Sequence, residues 1–298
     1  MSLHVMDVDP ELLRRSAAAA THALEQTTIH IEREIVGVIP PLMETLVPEG
    51  PYAYTILPEV LPDGSVKLPI LTTRDEIEEA YKLIRGMANL LTVIPLTEIR
   101  GEWYTFQDNI SRAELRSTGE RGAVQTLGLF PSGRGTGITG ELIWVRVPPS
   151  AMGARDHVPD PARVDRDEVY AREEVFLLHE RYLDRLRAAD VAGVLDTLND
   201  GVASGLRDYV NETGTLTTLE GKPAHRAYYQ GLFDKYEILA VDALDRVAED
   251  WYVFAEVRMT VRERDGGRRD LAFHTAEFYM PANDGRFIAR IGHGTDPE

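Results

Sequence analysis

An alternating segment near the C-terminus constrains the fold of this chain more than any other feature. In DWYVFAEVRMTVRER (250–264), one face carries Trp251, Val253, Ala255, Val257, Met259 and Val261. Because successive side chains of a β-strand point to opposite faces, the pattern predicts a long strand with an apolar face. The turn sequences DGG (265–267) and PANDG (281–285) follow it. We therefore predict a meander of antiparallel strands at the end of the chain.

Helices precede these strands. Between 172 and 200, apolar residues recur at helical spacing. They are Val175, Leu178, Tyr182, Leu186, Val191, Val194, Leu195 and Leu198. Asp190 is a plausible N-cap of the second helical piece. Helices followed by antiparallel strands predict the α+β class.

The first half of the chain repeats this plan. An amphipathic helix predicted at 74–91 lies between an extended segment at 52–62 and strands up to 147. Placing LTTRDEIEEAY over LEGKPAHRAYY aligns Tyr81 with Tyr229. Residues 148–168 are rich in proline and charge, which is typical of a linker. We predict two domains, 1–147 and 169–298, with a linker at 148–168.

Charge and composition exclude several classes of partner. The net charge of −17 argues against binding to nucleic acid or to an anionic membrane surface. There are no cysteines, so thiolate chemistry and disulfides are excluded. No run of 18 apolar residues occurs, and the first residues lack the apolar core of a signal peptide. We expect a cytoplasmic protein.

The second half resembles the NTF2-like superfamily, in particular its ketosteroid-isomerase and SnoaL-like polyketide-cyclase branches. ERYLDRLRAADVAGVL (180–195) is similar to the family's opening helix. VNETGTLTTLEGKPAHRAYY (210–229) is similar to its acid, nine-residue gap, glycine and helix. The resemblance covers roughly 170–298 well and 20–147 only by the order of elements. It implies two tandem cystatin-like α+β cones, each a curved antiparallel sheet wrapped around helices, with a deep apolar pocket.

The resemblance also implies site residues. The general base of the isomerases falls on Glu212, and their oxyanion-binding tyrosine falls on Tyr182. Their second oxyanion donor, a protonated aspartate, falls on Ala276, which cannot donate. Losing such a donor usually costs about two to three orders of magnitude in rate.

His274 is a candidate replacement for the missing donor. It lies two residues before Ala276 and therefore shares its strand face. Phe278 and Met280 follow on that face, which we expect to line the pocket. His225 is either a polar group of the pocket or a packed, hydrogen-bonded histidine, and packing is favoured. The predicted catalytic residues are thus Glu212, Tyr182 and His274.

These residues predict an enzyme without a cofactor. Glu212 would remove a proton next to the carbonyl of an apolar small molecule, and Tyr182 with His274 would hold the enolate. Isomerisation, cyclisation and dehydration all begin in this way and stay open. The alternative is a non-catalytic NTF2-like module that binds a small ligand or a protein. In that case Glu212 is a solvated turn residue, and the other two are buried core residues.

No metal site is predicted, because the eight histidines form no H-x-x-x-H or H-x-H pair and no carboxylate triad accompanies them. The glycine-rich segment 128–140 lacks the order of a phosphate-binding loop. In the first half, Gly64 takes the place of Glu212, with Asp63 beside it and Glu59 as a further acid. We therefore expect a non-catalytic first domain that forms an intrachain pseudo-dimer with the second. Further homo-oligomerisation stays open.

Overall fold

The computed structural model describes residues 9–55, 66–132, 137–146, 171–210, 214–265, 270–282 and 284–295, and only the backbone of 59–60 and 166–170. The chain forms two compact units. One contains Met1–Tyr52 and Thr73–Glu141, and the other contains His157–Glu298 with Ala53–Thr72 and Leu142–Arg146. The predicted linker falls largely outside the described residues, and its last three residues begin a helix.

The first domain is defined as the elements before residue 147, so its sheet includes strands from 53–72 and 142–146 that group with the second compact unit; it contains three helices and a six-stranded sheet. The helices are α1 (Pro10–Val36), α2 (Ile39–Met43) and α3 (Arg74–Met87). The strands are β1 (Ala53–Thr55), β2 (Glu59–Val60), β3 (Val66–Lys67), β4 (Ile70–Leu71), β5 (Ala88–Arg100), β6 (Tyr104–Leu115), β7 (Arg121–Pro131) and β8 (Gly140–Val145). The sheet order is β4-β1-β8-β7-β6-β5, and β2 pairs with β3 separately.

The second domain has the same order of elements, except that it has no counterpart of the β2–β3 pair among the described residues. Its helices are α4 (Arg166–Arg187), α5 (Val191–Asp196) and α6 (Gly221–Lys235). Its strands are β9 (Leu198–Asp208), β10 (Thr215–Glu220), β11 (Tyr236–Ala248), β12 (Val253–Glu263), β13 (Asp270–Pro281) and β14 (Phe287–Gly294). The sheet order is β10-β9-β14-β13-β12-β11, with β9 and β14 parallel. The α+β class is confirmed, with helices and a six-stranded sheet in each half of the chain.

Local sequence explains where several helices begin. Asp190 accepts a hydrogen bond from the Gly193 N–H at 2.9 Å, which confirms it as the N-cap of α5. Thr73 and Glu76 form a reciprocal capping box at the start of α3. α1 begins at Pro10, because Asp9 caps it and proline suits the first helical turn.

In each sheet two bulges bend one long strand, and they lie at equivalent positions in the two strands. In β5 the register against β6 shifts after the third residue, Leu90, and after the eighth, Pro95. In β11 the register against β12 shifts after the third residue, Ile238, and after the eighth, Ala243. A bulge adds a residue to one strand and increases its local twist. The two sheets therefore curve at equivalent points, and the concave face of the second leaves room for a cavity.

The core of the second domain fills the space between α4, α6 and this curved sheet. Leu183 and Val194 on the helices are buried with Val253, Ala255 and Val261 on β12, which confirms the apolar face predicted for that strand. Within the described residues, no helix is long and apolar enough to cross a membrane.

Candidate functional site

A small cavity of about 30 Å³ lies between α4, α6 and the sheet of the second domain. Its apolar wall contains Leu186, Leu206, Val210, Leu232, Val257 and Met259. Its polar groups include Tyr182, Asp208, Tyr229, Glu277 and Arg290. A mostly apolar cavity with a few convergent polar groups is typical of a small-molecule site.

Two phenols meet at this cavity. Tyr182 on α4 and Tyr229 on α6 are fully buried, and their hydroxyl oxygens are 2.8 Å apart. Their rings meet edge to face at 72°. Tyr182 lies on the predicted apolar stripe of its helix, one turn from Leu178 and Leu186, which explains its inward direction. The structure therefore places Tyr182 at the cavity, as a hydrogen-bonded pair with a second tyrosine.

A buried cation lies behind the phenols. Arg290 on β14 donates from Nη1 to the Tyr229 hydroxyl at 3.1 Å and from Nε to Glu277 Oε2 at 2.5 Å. Burial raises the pKa of Tyr182 and that of Tyr229, although Arg290 acts in the opposite direction. Both phenols therefore keep their protons at neutral pH and can donate hydrogen bonds. Neither Tyr229 nor the Arg290–Glu277 pair was expected as a site group from the sequence.

Asp208 brings a carboxylate to the same cavity. It is the last residue of β9 and is buried, and its Oδ1 accepts from the Val210 N–H at 2.8 Å. The Tyr228 phenol also donates to it. Asp208 was not predicted as a site residue, because its position at a strand end has no motif of its own.

Glu212, the predicted base, lies outside the described residues, as do its neighbours 211 and 213. The described residues on either side are close to the cavity. Asp208 and Val210 line it, and the Asp208 carbonyl accepts a hydrogen bond from Gly214 N at 2.9 Å.

The pocket face of β13 differs from the prediction by one residue. Thr275 and Glu277 line the cavity, so period-two geometry places His274 and Ala276 on the opposite face. His274 Nδ1 lies 3.0 Å from Glu256 Oε1 on β12. The alternation of faces along β13 was predicted correctly. Which of the two faces lines the cavity was inferred by aligning Ala276 with a family position, and this inference differs from the structure by one residue. His274 and Tyr182 are therefore not brought together.

Phe278 and Met280 share that opposite face of β13 and are buried. His225 on α6 is buried too. It lies 2.8 Å through Nδ1 from the Gly221 carbonyl, so Nδ1 carries the proton and Nε2 accepts from the Ser204 hydroxyl at 2.7 Å. Burial lowers the pKa of His225 to about 4, so the ring is neutral at pH 7. His225 is thus a packed, hydrogen-bonded histidine, the favoured of its two interpretations.

The first domain contains a second buried polar cluster. His30 on α1 lies 3.3 Å from Glu141 Oε2 on β8 and 3.1 Å from the Tyr81 hydroxyl on α3. Tyr81 donates to the same Glu141 oxygen at 2.7 Å. Glu34 lies one turn after His30, and burial, reinforced by the Glu141 carboxylate, raises the pKa of Glu34 to about 7.

The first-domain cluster was not foreseen from the sequence. The alignment of Tyr81 with Tyr229 was the one signal that located part of it. Among the acids considered there instead, Asp63 lies outside the described residues, as does the adjacent Gly64. Only the backbone of Glu59 is described, in β2. His30 and Glu34 are separated from Glu141 by more than a hundred residues, so no local motif joins them.

Comparison with known protein families finds a match within the second domain. Residues 179–290 match the family described as "SnoaL-like domain". This stretch runs from α4 to β14 and includes the phenol pair and Arg290. No curated protein matches the chain.

Solved structures resemble it at low identity. A putative isomerase from Bacillus subtilis is 13% identical, covering 42% of this chain and 88% of that one, with a TM-score of 0.37. A putative isomerase from Rhodopseudomonas palustris is 12% identical, covering 41% and 90%, with a TM-score of 0.36. An epoxide hydrolase from Mycobacterium tuberculosis, described as LEH-like, is 16% identical, covering 43% and 85%, with a TM-score of 0.33.

Proposed function

We propose that the second domain is a SnoaL-like enzyme that binds an apolar, carbonyl-bearing small molecule and removes a proton next to its carbonyl. One observation carries the proposal. The Tyr182–Tyr229 phenol pair, with Arg290 behind it, meets an apolar cavity that also contains the carboxylate of Asp208. Hydrogen-bond donors, a carboxylate and an apolar wall are the three parts that such a reaction needs.

The phenols are the groups that would stabilise the intermediate. Removing a proton next to a carbonyl leaves negative charge on the carbonyl oxygen, and donors fixed in advance lower the barrier to its formation. Tyr182 and Tyr229 stay protonated because burial raises the pKa of each. Arg290, which donates to Tyr229, polarises the pair in the direction that favours an anion.

Two carboxylates are candidates for the base. Asp208 lines the cavity, and Glu212 is the residue on which the isomerase base falls by resemblance. A positioned base typically contributes about 10²–10⁴-fold to the rate. His274 is not part of the proposed machinery, because its strand face is opposite to the cavity.

Our proposal also includes the tandem arrangement of the two domains. We infer that the first domain is a second copy of the same fold, with a different polar cluster in place of the phenol pair. Two matches support this. His30 precedes α2 by nine residues, and Tyr182 precedes α5 by nine. Thr45 and Thr197 each donate a hydroxyl hydrogen bond of 2.6 Å to the carbonyl three residues earlier.

Isomerisation, cyclisation and dehydration all begin with proton removal, so an assay of proton exchange tests all three. A panel of apolar ketones and enones would be incubated with the full chain in D₂O, and deuterium next to the carbonyl would be followed by NMR. We expect exchange that Tyr182→Phe and Tyr229→Phe slow about 10²-fold or more. Asp208→Asn and Glu212→Gln identify the base, since only the base variant loses exchange entirely. Tyr81→Phe, the matching tyrosine of the first domain, is the control.

A non-catalytic binding module is the second candidate, and the hydrogen bonds already made by each phenol favour it. Binding of a phenolic enolate mimic such as equilenin separates the two. If the mimic binds, Tyr182→Phe weakens it, and no bound ketone exchanges its protons, the second domain is a binding module. If the mimic does not bind the wild type at all, the oxyanion-holding site does not exist.

A further inference from the structure

We propose that the first domain binds one divalent transition-metal ion through the imidazole of His30 and the carboxylates of Glu34 and Glu141. Each side chain offers one ligand atom, and these three atoms lie within 4.8 Å of one another. One imidazole with two carboxylates is a donor set that suits Zn²⁺, Mn²⁺ or Fe²⁺. The proposal does not depend on the function proposed for the second domain.

Thr45 determines which nitrogen of His30 can bind an ion. The Thr45 hydroxyl donates to the Leu42 carbonyl at 2.6 Å, so it accepts from His30 Nδ1, which is also 2.6 Å away. The neutral ring therefore carries its proton on Nδ1 and has its lone pair on Nε2, the atom that faces Glu141. Histidines that bind metals usually donate their other ring nitrogen to an oxygen in this way, which fixes the ring orientation.

The contact between His30 and Glu141 requires a positive charge. Nε2 and Oε2 lie 3.3 Å apart, and with Nδ1 protonated both carry lone pairs. The Tyr81 hydroxyl is near both atoms, but its single hydrogen is donated to Oε2. Either a proton or a metal ion must therefore lie between the nitrogen and the carboxylate oxygen. An ion with two charges also offsets the two carboxylates, whose burial is otherwise costly.

The charge of the cluster and the position of its ligands relative to solvent are compatible with a divalent ion. When the cluster is fully deprotonated, as metal binding requires, the two carboxylates, the imidazole and the nearby Arg85, which acts electrostatically on Glu34, carry one negative charge in total. His30 and Glu141 are buried, whereas Glu34 is only half-buried. Of the three ligands, Glu34 is therefore the one nearest to solvent.

The second domain lacks metal ligands at two of the three equivalent positions. The positions equivalent to His30 and Glu34, counted from α5 instead of α2, are Tyr182 and Leu186. A phenol and an aliphatic side chain cannot supply the two ligands. The proposal therefore specifies one strong site per chain, in the first domain.

Calorimetric titration of the chelator-treated full chain with Zn²⁺ tests the proposal. Millimolar Mg²⁺ in the buffer suppresses weak binding to the acidic surface, since the chain carries a net charge of −17. We expect a stoichiometry of one ion per chain. Glu34→Gln should weaken the affinity about 100-fold or more, because loss of a ligand costs at least as much as loss of an outer partner. Glu32→Gln removes the same charge from an exposed position on α1 and should leave the affinity unchanged.

A second variant tests whether a loss of Zn²⁺ binding is caused by misfolding. Glu141→Gln keeps a hydrogen-bond acceptor for Tyr81, and its circular dichroism reports whether the domain is folded. Co²⁺ absorption in the visible range provides an independent signal, which should be present in the wild type and in Glu32→Gln and absent in Glu34→Gln. The proposal is overturned if the wild type binds no Zn²⁺ under these conditions. It is equally overturned if Glu34→Gln binds as tightly as Glu32→Gln.

Discussion

The hydroxyl oxygens of Tyr182 and Tyr229 lie 2.8 Å apart, and Arg290 donates to the second of them at 3.1 Å. The three side chains come from α4, α6 and β14, so the pair exists only when both helices are seated on the sheet. The hydrogen bond therefore serves as a structural link and as the centre of the proposed site.

Tyr229→Phe should destabilise the protein more than Tyr182→Phe. The Tyr229 hydroxyl contacts both Tyr182 and Arg290, so its removal leaves two buried groups without that partner. Removal of the Tyr182 hydroxyl leaves Tyr229 still bonded to Arg290. Each unsatisfied buried group costs roughly 1–3 kcal/mol. Urea unfolding followed by circular dichroism measures both variants, and equal losses would contradict the arrangement.

Arg290→Met should lower the free energy of unfolding by about 3–5 kcal/mol, because it leaves Glu277 buried without its cation. The double variant Glu277→Gln with Arg290→Met should recover a large part of this loss, since no buried charge remains. The same urea experiment gives the comparison. If the double variant is as unstable as the sum of the two single variants, the ion pair is not the source of the effect.

Acidification below pH 6.5 should destabilise the second domain. Burial lowers the pKa of His225 to about 4 and that of His179 and that of His293 to about 3. Between these values and 6.5 the unfolded chain binds protons that the folded protein does not, so stability rises with pH in that window. The contribution is fully present above pH 6.5 and is lost as the pH falls through 4 for His225 and toward 3 for His179 and His293.

His225→Gln isolates one of these residues. At pH 5 the wild type should have lost roughly 2 kcal/mol through His225 relative to pH 7, and the variant should lack this part of the decline. Urea midpoints at the two pH values, measured for both proteins, provide the difference. Parallel declines would show that His225 is protonated in the folded state.

Thr73→Ala should lower stability by about 1 kcal/mol, because it removes the side chain that caps α3 and the partner of the Glu76 capping box. The adjacent Thr72 is exposed and lies outside the helix cap, so Thr72→Ala is a matched control. Thermal unfolding measures both. A similar shift in the two variants would remove the capping box as the cause.

Features that depend on neighbouring residues could be predicted from the sequence. The N-cap at Asp190 and the apolar face of β12 follow from side-chain chemistry and from period two over a few residues. The order of helices and strands in each half followed in the same way and was sufficient for the α+β class.

Other features depended on tertiary packing. The choice between Ala276 and Glu277 as the cavity-facing residue rests on how β13 sits against its neighbours, and a slip of one residue reverses the face. The bulges in β5 and β11, which curve the sheets, have no signature in the sequence comparable to a turn motif.

The sequence by itself determined the elements, their order and the tyrosine that each half presents at the same place, because these follow from local periodicity and spacing. Only the tertiary structure decided which charges meet there. It joins Tyr229 to Arg290 in one domain, and Tyr81 to His30 and Glu141 in the other. The physical reason is that strand pairing and helix docking bring together side chains far apart in the chain, and burial then determines how their charges and protons are distributed.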